Sequence, residues 1–136
     1  MTWRDELKQA VKSKAEREAE EAERKRLRVQ AALQIADEAL AQCSGGLEFA
    51  EQQLKSKERP AELSAGGDRR QLKLGEQSLV VELDRETAVL KVTLNDAKPR
   101  EFDFAQDRHL APKDIEEYVG RRVVELARAA YKANPW

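Results

Sequence analysis

The sequence contains only one cysteine and one histidine in 136 residues. A lone Cys43 forms no disulfide within the chain and no cysteine-based zinc site. The carboxylates are scattered, without the spacing that sets of metal ligands require. We therefore expect no metal, no cofactor and a reducing, cytoplasmic environment.

Long apolar runs are also missing, and aromatic residues make up only 5% of the chain. Nothing approaches the roughly 18 consecutive apolar residues of a membrane span, and Met1 is followed by polar residues rather than an apolar leader. The net charge is -1, from 25 basic and 26 acidic residues. No global field attracts polyanions or a charged membrane surface, so we expect a soluble protein without membrane contact.

Residues that carry catalytic chemistry are scarce. His109 is the only histidine, and no serine or cysteine stands near it in a recognisable nucleophile arrangement. Glu101 and Asp103 form a carboxylate pair, but their spacing places them on the solvated face of a strand. No glycine-rich loop lies between a strand and a helix, where phosphate would bind. We expect no catalytic residues and no enzymatic activity.

The N-terminal segment, residues 1–58, is predicted to be one long helix. From Trp3 to Lys57 it contains no proline and consists mainly of strong helix formers. Its weak point is Ser44-Gly45-Gly46, because two interior glycines cost roughly 2 kcal/mol relative to alanine. Either the helix continues there, or it turns back into a second short helix. Continuation is favoured because the apolar pattern keeps its phase across the glycines.

That apolar pattern is a heptad repeat of leucines, with a smaller apolar residue four positions before each one. We call this stripe the seam: it comprises Val29, Leu33, Ala36, Leu40, Cys43, Leu47, Ala50 and Leu54. A helix of about 50 residues is about 75 Å long, whereas the remaining part has a radius of gyration of only about 11 Å. We therefore expect a second chain to cover the seam, in a coiled-coil homodimer that is most simply parallel.

The rest of the chain predicts a small α+β domain. Residues 59–68 resemble a linker because they contain Pro60, Gly66 and Gly67. Within residues 69–136, four segments alternate apolar and polar residues with a period of two, as antiparallel strands do. A helix then begins at Pro112. The predicted fold is a long N-terminal helix followed by a four-stranded antiparallel meander, with a C-terminal helix packed on its apolar face.

The register of this meander follows from its short connections. Three hairpins are predicted to place Val81 opposite Leu90, Leu72 opposite Val81, and Val92 opposite Phe104. In each hairpin the apolar residues then share one face of the sheet, which supports the predicted order of strands.

Two further features predict contacts with partners. Trp3, Leu7 and Val11 recur at i, i+4 and i+8, so they form a small apolar face at the start of the helix. This face packs on the chain's own domain or on a paired copy, or else it docks in a groove of another protein. On the predicted sheet, Val80 and Val89 point outward and form a modest apolar patch.

The aromatic residue Trp136 follows Pro135 and allows two interpretations. It either folds back over the core or stays exposed for a partner. The sequence leaves both open.

The pattern as a whole favours a non-enzymatic protein that self-associates through its N-terminal helix and contacts another protein. Adaptor, scaffold and chaperone-like subunits belong to this class. The alternative is a nucleic-acid-binding protein that uses the basic clusters Arg24–Arg28 and Arg121-Arg122. Acidic residues flank both clusters, among them Glu23 and Glu117, so we do not expect nucleic acid as the main partner.

Overall fold

The computed structural model describes residues 2–136 and has an α+β fold. The helices are α1 (Trp3–Ala10), α2 (Lys14–Ser56) and α3 (Pro112–Ala133). The strands are β1 (Ala61–Gly66), β2 (Arg69–Leu74), β3 (Gln77–Asp84), β4 (Val89–Leu94) and β5 (Arg100–Asp103).

The N-terminal helical segment is divided at residues 11–13, where an unbroken helix was expected. Ser13 is extended, and its hydroxyl accepts a hydrogen bond from the Glu16 backbone N–H at 3.1 Å. Serine followed three residues later by glutamate is a common helix start. The Arg17 guanidinium fixes the turn by donating to the carbonyl oxygens of Gln9 at 3.1 Å and Lys12 at 3.2 Å. A side-chain cap therefore ends one helix and begins another without any proline.

Helix α2 continues through Ser44-Gly45-Gly46. Its 43 residues correspond to a rod of about 65 Å. Cys43 and Leu47 on either side of the glycines are both fully buried, and the Arg70 Nε donates to the Ser44 hydroxyl at 3.1 Å. Tertiary packing thus offsets the low helix propensity of the two glycines.

The sheet is an antiparallel meander in the order β1-β2-β3-β4-β5. It has five strands, so the prediction of four was wrong. The extra strand, β1, lies inside residues 59–68, which were predicted to be a linker. Its inward positions are mostly small, and it ends at glycines, so its alternation is weak in the sequence. Pairing with β2, with Ala61 opposite Leu74, is what makes this segment a strand.

The hairpin predictions assigned the correct face to each apolar residue but the wrong cross-strand partner. Val81 lies opposite Val92, Leu72 opposite Leu79, and Val92 also opposite Arg100. Relative to the predicted pairs, these are shifts of two or four residues. Even shifts keep every side chain on its face of the sheet, since side chains alternate with a period of two.

The turns explain the shifts. The β2–β3 turn needs only two residues, because Gly75 adopts a positive φ of 60° that a glycine accepts without strain. Four residues, 85–88, connect β3 to β4, and Ala88 has a φ of 57°. Loop lengths set by such local conformations are not visible in an alternation of apolar residues.

Helices α2 and α3 lie side by side on one face of the sheet, as the packing of the C-terminal helix on the apolar face predicted. They run in the same direction, since Gly46 lies against Glu116 at one end, and Arg59 stacks on Trp136 at the other. The most deeply buried large side chains of this core are Leu47, Leu72, Leu79, Leu90, Ile115, Leu126, Val81 and Val119. One core therefore joins the rod to the sheet.

An ion-pair network fastens α2 to the turns at one end of the sheet. The Arg85 Nη2 lies 2.6 Å from an Asp37 oxygen on α2, and its Nε lies 2.7 Å from an Asp68 oxygen between β1 and β2. The hydrogen bond to Asp37 contributes most to raising the pKa of Arg85, followed by the one to Asp68. The guanidinium stays charged and connects three separate elements.

We predict that Leu47→Ala destabilises the chain far more than Leu27→Ala, although both leucines lie on α2. Leu47 is 0% exposed and Leu27 is 51% exposed. Truncating a buried leucine costs about 2–5 kcal/mol because a cavity remains, whereas an exposed site usually changes stability by about 0.5 kcal/mol or less. Urea unfolding followed by circular dichroism measures both values. Equal costs would show that the seam is not packed in this core.

Candidate protein-interaction surfaces

The seam lies against the sheet and α3 of its own chain. Within one copy, Ala36, Cys43 and Leu47 are 0% exposed, and Leu40 and Ala50 are at most 8% exposed. The outermost members, Val29, Leu33 and Leu54, are partly buried against the same core. The premise that only a second chain could cover the seam is therefore wrong. The five-stranded sheet and α3 cover the part of α2 that carries the seam leucines. The N-terminal part of α2, which the domain leaves uncovered, carries none of the seam leucines.

The outward side of the α2–α3 pair forms an apolar groove of about 990 Å³. We call it the α2/α3 groove. Its floor includes Ala50, Val119 and Val123. Large apolar side chains along it are exposed to solvent: Phe49 by 64%, Val124 by 46%, Tyr131 by 48% and Trp136 by 41%. Clustered exposed aromatic and aliphatic groups of this kind mark interaction sites for proteins, membranes or ligands.

Two glycines keep this groove open where the helices come together. A Cβ atom at Gly120 on α3 would meet nothing within 4 Å, and one at Gly46 on α2 would meet only the Glu116 side chain, at 3.8 Å. No side chain therefore fills these two positions. Gly46, one of the two glycines that weakened the helical pattern in the sequence, is therefore part of the groove wall.

Trp136 closes the C-terminal end of the groove. Its ring packs edge-on against Tyr131 with ring centres 5.1 Å apart, and the Arg59 guanidinium lies 4.9 Å from the Trp136 ring centre. The chain end folds back, but onto the half-exposed Tyr131 and onto Arg59 rather than over the buried core. The indole nevertheless keeps a substantial exposed surface, so it contributes to the groove as well as to the fold.

Helix α1 forms an arm with an uncovered apolar face. Trp3 is 67% exposed, Leu7 is 53% exposed and Val11 is 70% exposed. Among residues 2–136, α1 packs against no other helix or strand. Of the options in the sequence, packing on the chain's own domain is absent from this structure.

The outward valines of the sheet do not form one patch. Val80 lies opposite Thr93, and Val89 lies opposite Asp84. Between these two rows stands the charged pair Glu82 and Lys91. Val80 and Val89 are therefore two separate, half-buried side chains on a polar face.

Cys43 is buried in the core beside the groove. Burial, and to a smaller extent the charge of Glu116, raises the pKa of its thiol to about 12. A neutral, buried thiol is a poor nucleophile. Cys43 therefore acts here as a small core residue.

His109 lies in the exposed loop between β5 and α3, and its backbone N–H donates to Asp107 Oδ1 at 2.9 Å. Within residues 2–136, no group of three or more histidine, cysteine, aspartate or glutamate residues is placed to hold a metal ion.

The basic clusters are accompanied by carboxylates on the same helices. In the first cluster, Arg26 pairs with Glu23 at 2.5 Å, and Arg24 lies 3.8 Å from Glu20. The hydrogen bond from Arg26 is the main cause that lowers the pKa of Glu23. In the second cluster, the closest carboxylates lie 3.1 Å from both arginines, in the pairs Arg121–Glu117 and Arg122–Glu125. Neither cluster presents an unbroken basic strip to a phosphate backbone.

We predict that Cys43 resists alkylation by a maleimide at pH 8 in the folded protein. Raising the thiol pKa from 9.0 to about 12 lowers the thiolate fraction by roughly a thousandfold. Labelling followed by mass spectrometry should be slow in buffer and fast in concentrated urea. Rapid labelling of the folded chain would place the thiol at the surface. Because the pKa is raised, the folded-state rate should stay low until the pH approaches about 12.

Within residues 2–136, no helix has both the length and the apolar composition needed to cross a membrane. Comparison of the chain with protein-family models, curated proteins and solved structures finds no match.

Proposed function

We propose that this chain is a non-enzymatic, cytoplasmic interaction protein that self-associates and serves as an adaptor, scaffold or chaperone-like subunit. The observation that carries this proposal is the exposed apolar α2/α3 groove. A pocket of about 990 Å³ lies at the upper end of the usual size for ligand sites, but its open shape between two helices suits a helix rather than a small molecule.

The composition of the groove supports protein binding. Interfaces are enriched in aromatic residues, and a few large anchors supply most of the binding energy. Phe49, Tyr131 and Trp136 provide such anchors, and Val124 adds an aliphatic one. Leaving this much apolar surface in water is unfavourable, at about 25 cal/mol per Å², so covering it favours association.

The seam does not support self-association, because its own chain covers it. The proposal rests instead on two other apolar surfaces, the α2/α3 groove and the arm. Both are exposed in a single copy, and both lie on rigid helices. A dimer formed through them leaves the core of each copy intact.

The nucleic-acid alternative has less support. The carboxylate partners of Arg24, Arg26, Arg121 and Arg122 reduce the net positive charge of both clusters. Binding to a phosphate backbone depends on uncompensated lysine and arginine charge. We therefore do not adopt it.

We predict that the wild-type protein has a mass above that of one 15.5 kDa chain at high micromolar concentration. Sedimentation equilibrium over a range of concentrations measures this directly. The physical reason is the burial of the groove's apolar surface on association. A single-chain mass at every concentration would remove self-association from the proposed function.

A further inference from the structure

We propose that the arm of one copy occupies the α2/α3 groove of a second copy, and that the two copies exchange arms reciprocally. This proposal rests on the proposed self-association and names its contact. The arm comprises α1 and Val11, and its apolar face consists of Trp3, Leu7 and Val11. It is a short amphipathic helix that precedes α2, and within residues 2–136 it packs against no other helix or strand.

The arm has the shape of a groove-binding helix. Amphipathic helices insert anchor residues at i, i+4 and i+7 or i+8 into apolar grooves. Trp3, Leu7 and Val11 have this spacing and are each more than half exposed. Eight helical residues measure about 12 Å. The α3 wall of the groove, from Lys113 to Tyr131, is about 27 Å long, so the arm fits within it.

The basic side of the arm matches the acidic end of the groove. Arg4 and Lys8 follow Trp3 and Leu7 by one residue each, so they flank the apolar face on one side, while Glu6 flanks it on the other. The first turns of α3 line the groove with Asp114, Glu116, Glu117 and Lys113, and Arg128 lines it further along the helix. Opposite charges at the rim of an interface fix its orientation and exclude wrong partners.

Geometry requires that the groove belong to another copy. Cys43 is the first residue of α2 in the groove wall, and the rise from Lys14 to Cys43 along a continuous helix is about 44 Å. Residues 3–13, even when fully extended, span at most about 40 Å. As a helix, α1 covers about 12 Å. An arm at the far end of this rod therefore cannot reach the groove of its own chain.

A reciprocal exchange closes the assembly with two-fold symmetry. One arm contributes three anchor side chains, and two arms double that surface without leaving a free groove.

Three single variants test the proposal by sedimentation equilibrium of the full chain. Leu7→Asp places a charge in the apolar face of the arm, and Val124→Asp places one in the groove. Both sites are exposed in one copy, so circular dichroism melting should show an unchanged fold. Each change should raise the dimer dissociation constant by about 30-fold or more, as loss of an anchor does. Gln9→Glu adds a charge on the opposite side of α1 and should leave the constant unchanged.

Mixing the two defective variants provides the decisive experiment. Leu7→Asp retains a working groove, and Val124→Asp retains a working arm. An equimolar mixture should form a heterodimer through one arm and one groove, weaker than the wild-type dimer but stronger than either variant alone. If the mixture associates no better than its components, the arm and the groove do not bind each other.

The results also separate this inference from the proposed function. A wild-type dimer that persists in Leu7→Asp or in Val124→Asp overturns the arm-in-groove contact but leaves self-association in place. A wild-type mass that rises without limit overturns the closed exchange, since a two-fold dimer stops at two chains. A wild-type monomer at high micromolar concentration overturns both.

Discussion

Burial of the α2 seam against the sheet and α3 is the interaction on which the rest of this structure depends. One helix serves both as a rod and as a core element of the domain. The seam leucines of α2 extend from Leu33 to Leu54, where the sheet and α3 cover them. Toward its N-terminus the rod continues with alanine and charged residues, which are stable in water through helix propensity and pairs three or four residues apart. The extent of the leucine repeat thus records the extent of the domain.

The same packing creates the groove. Two helices that both cover one face of a sheet meet along a line, and their outward sides leave a channel unless side chains fill it. Here Gly46 and Gly120 leave it open, while Phe49 and Val124 stand at its edges. Of the two adjacent glycines inside α2, Gly46 lines the groove, so its cost is linked to the shape of the helix surface. Packing of the seam offsets that cost, since Cys43 and Leu47 are fully buried around them.

The periodicities in the sequence were sufficient to predict the fold class, the long helix, the C-terminal helix and the face of each apolar residue in the four predicted strands. They were insufficient to predict features that depend on local backbone conformation, such as helix starts, turn lengths and weak strands. The Ser13 cap, the turn at Gly75 and the weak strand β1 depend on single hydrogen bonds, single φ angles or pairing with a neighbour. The pattern of apolar residues in a sequence indicates which side chains are buried, but it does not indicate how many residues a turn contains.

The largest error concerned what covers the seam, and it has the same physical origin. A heptad repeat indicates that one face of a helix is buried. The hydrophobic driving force for burial is the same whether a second chain or the helix's own domain covers that face. A small domain cannot cover the full length of the rod. The seam leucines, however, occupy only part of the rod, and the domain covers that part. The domain leaves the N-terminal half of α2 and the arm uncovered. The arm joins α2 about 44 Å from the groove. A rod of this length separates the arm from the groove, two apolar surfaces that are both exposed in a single copy.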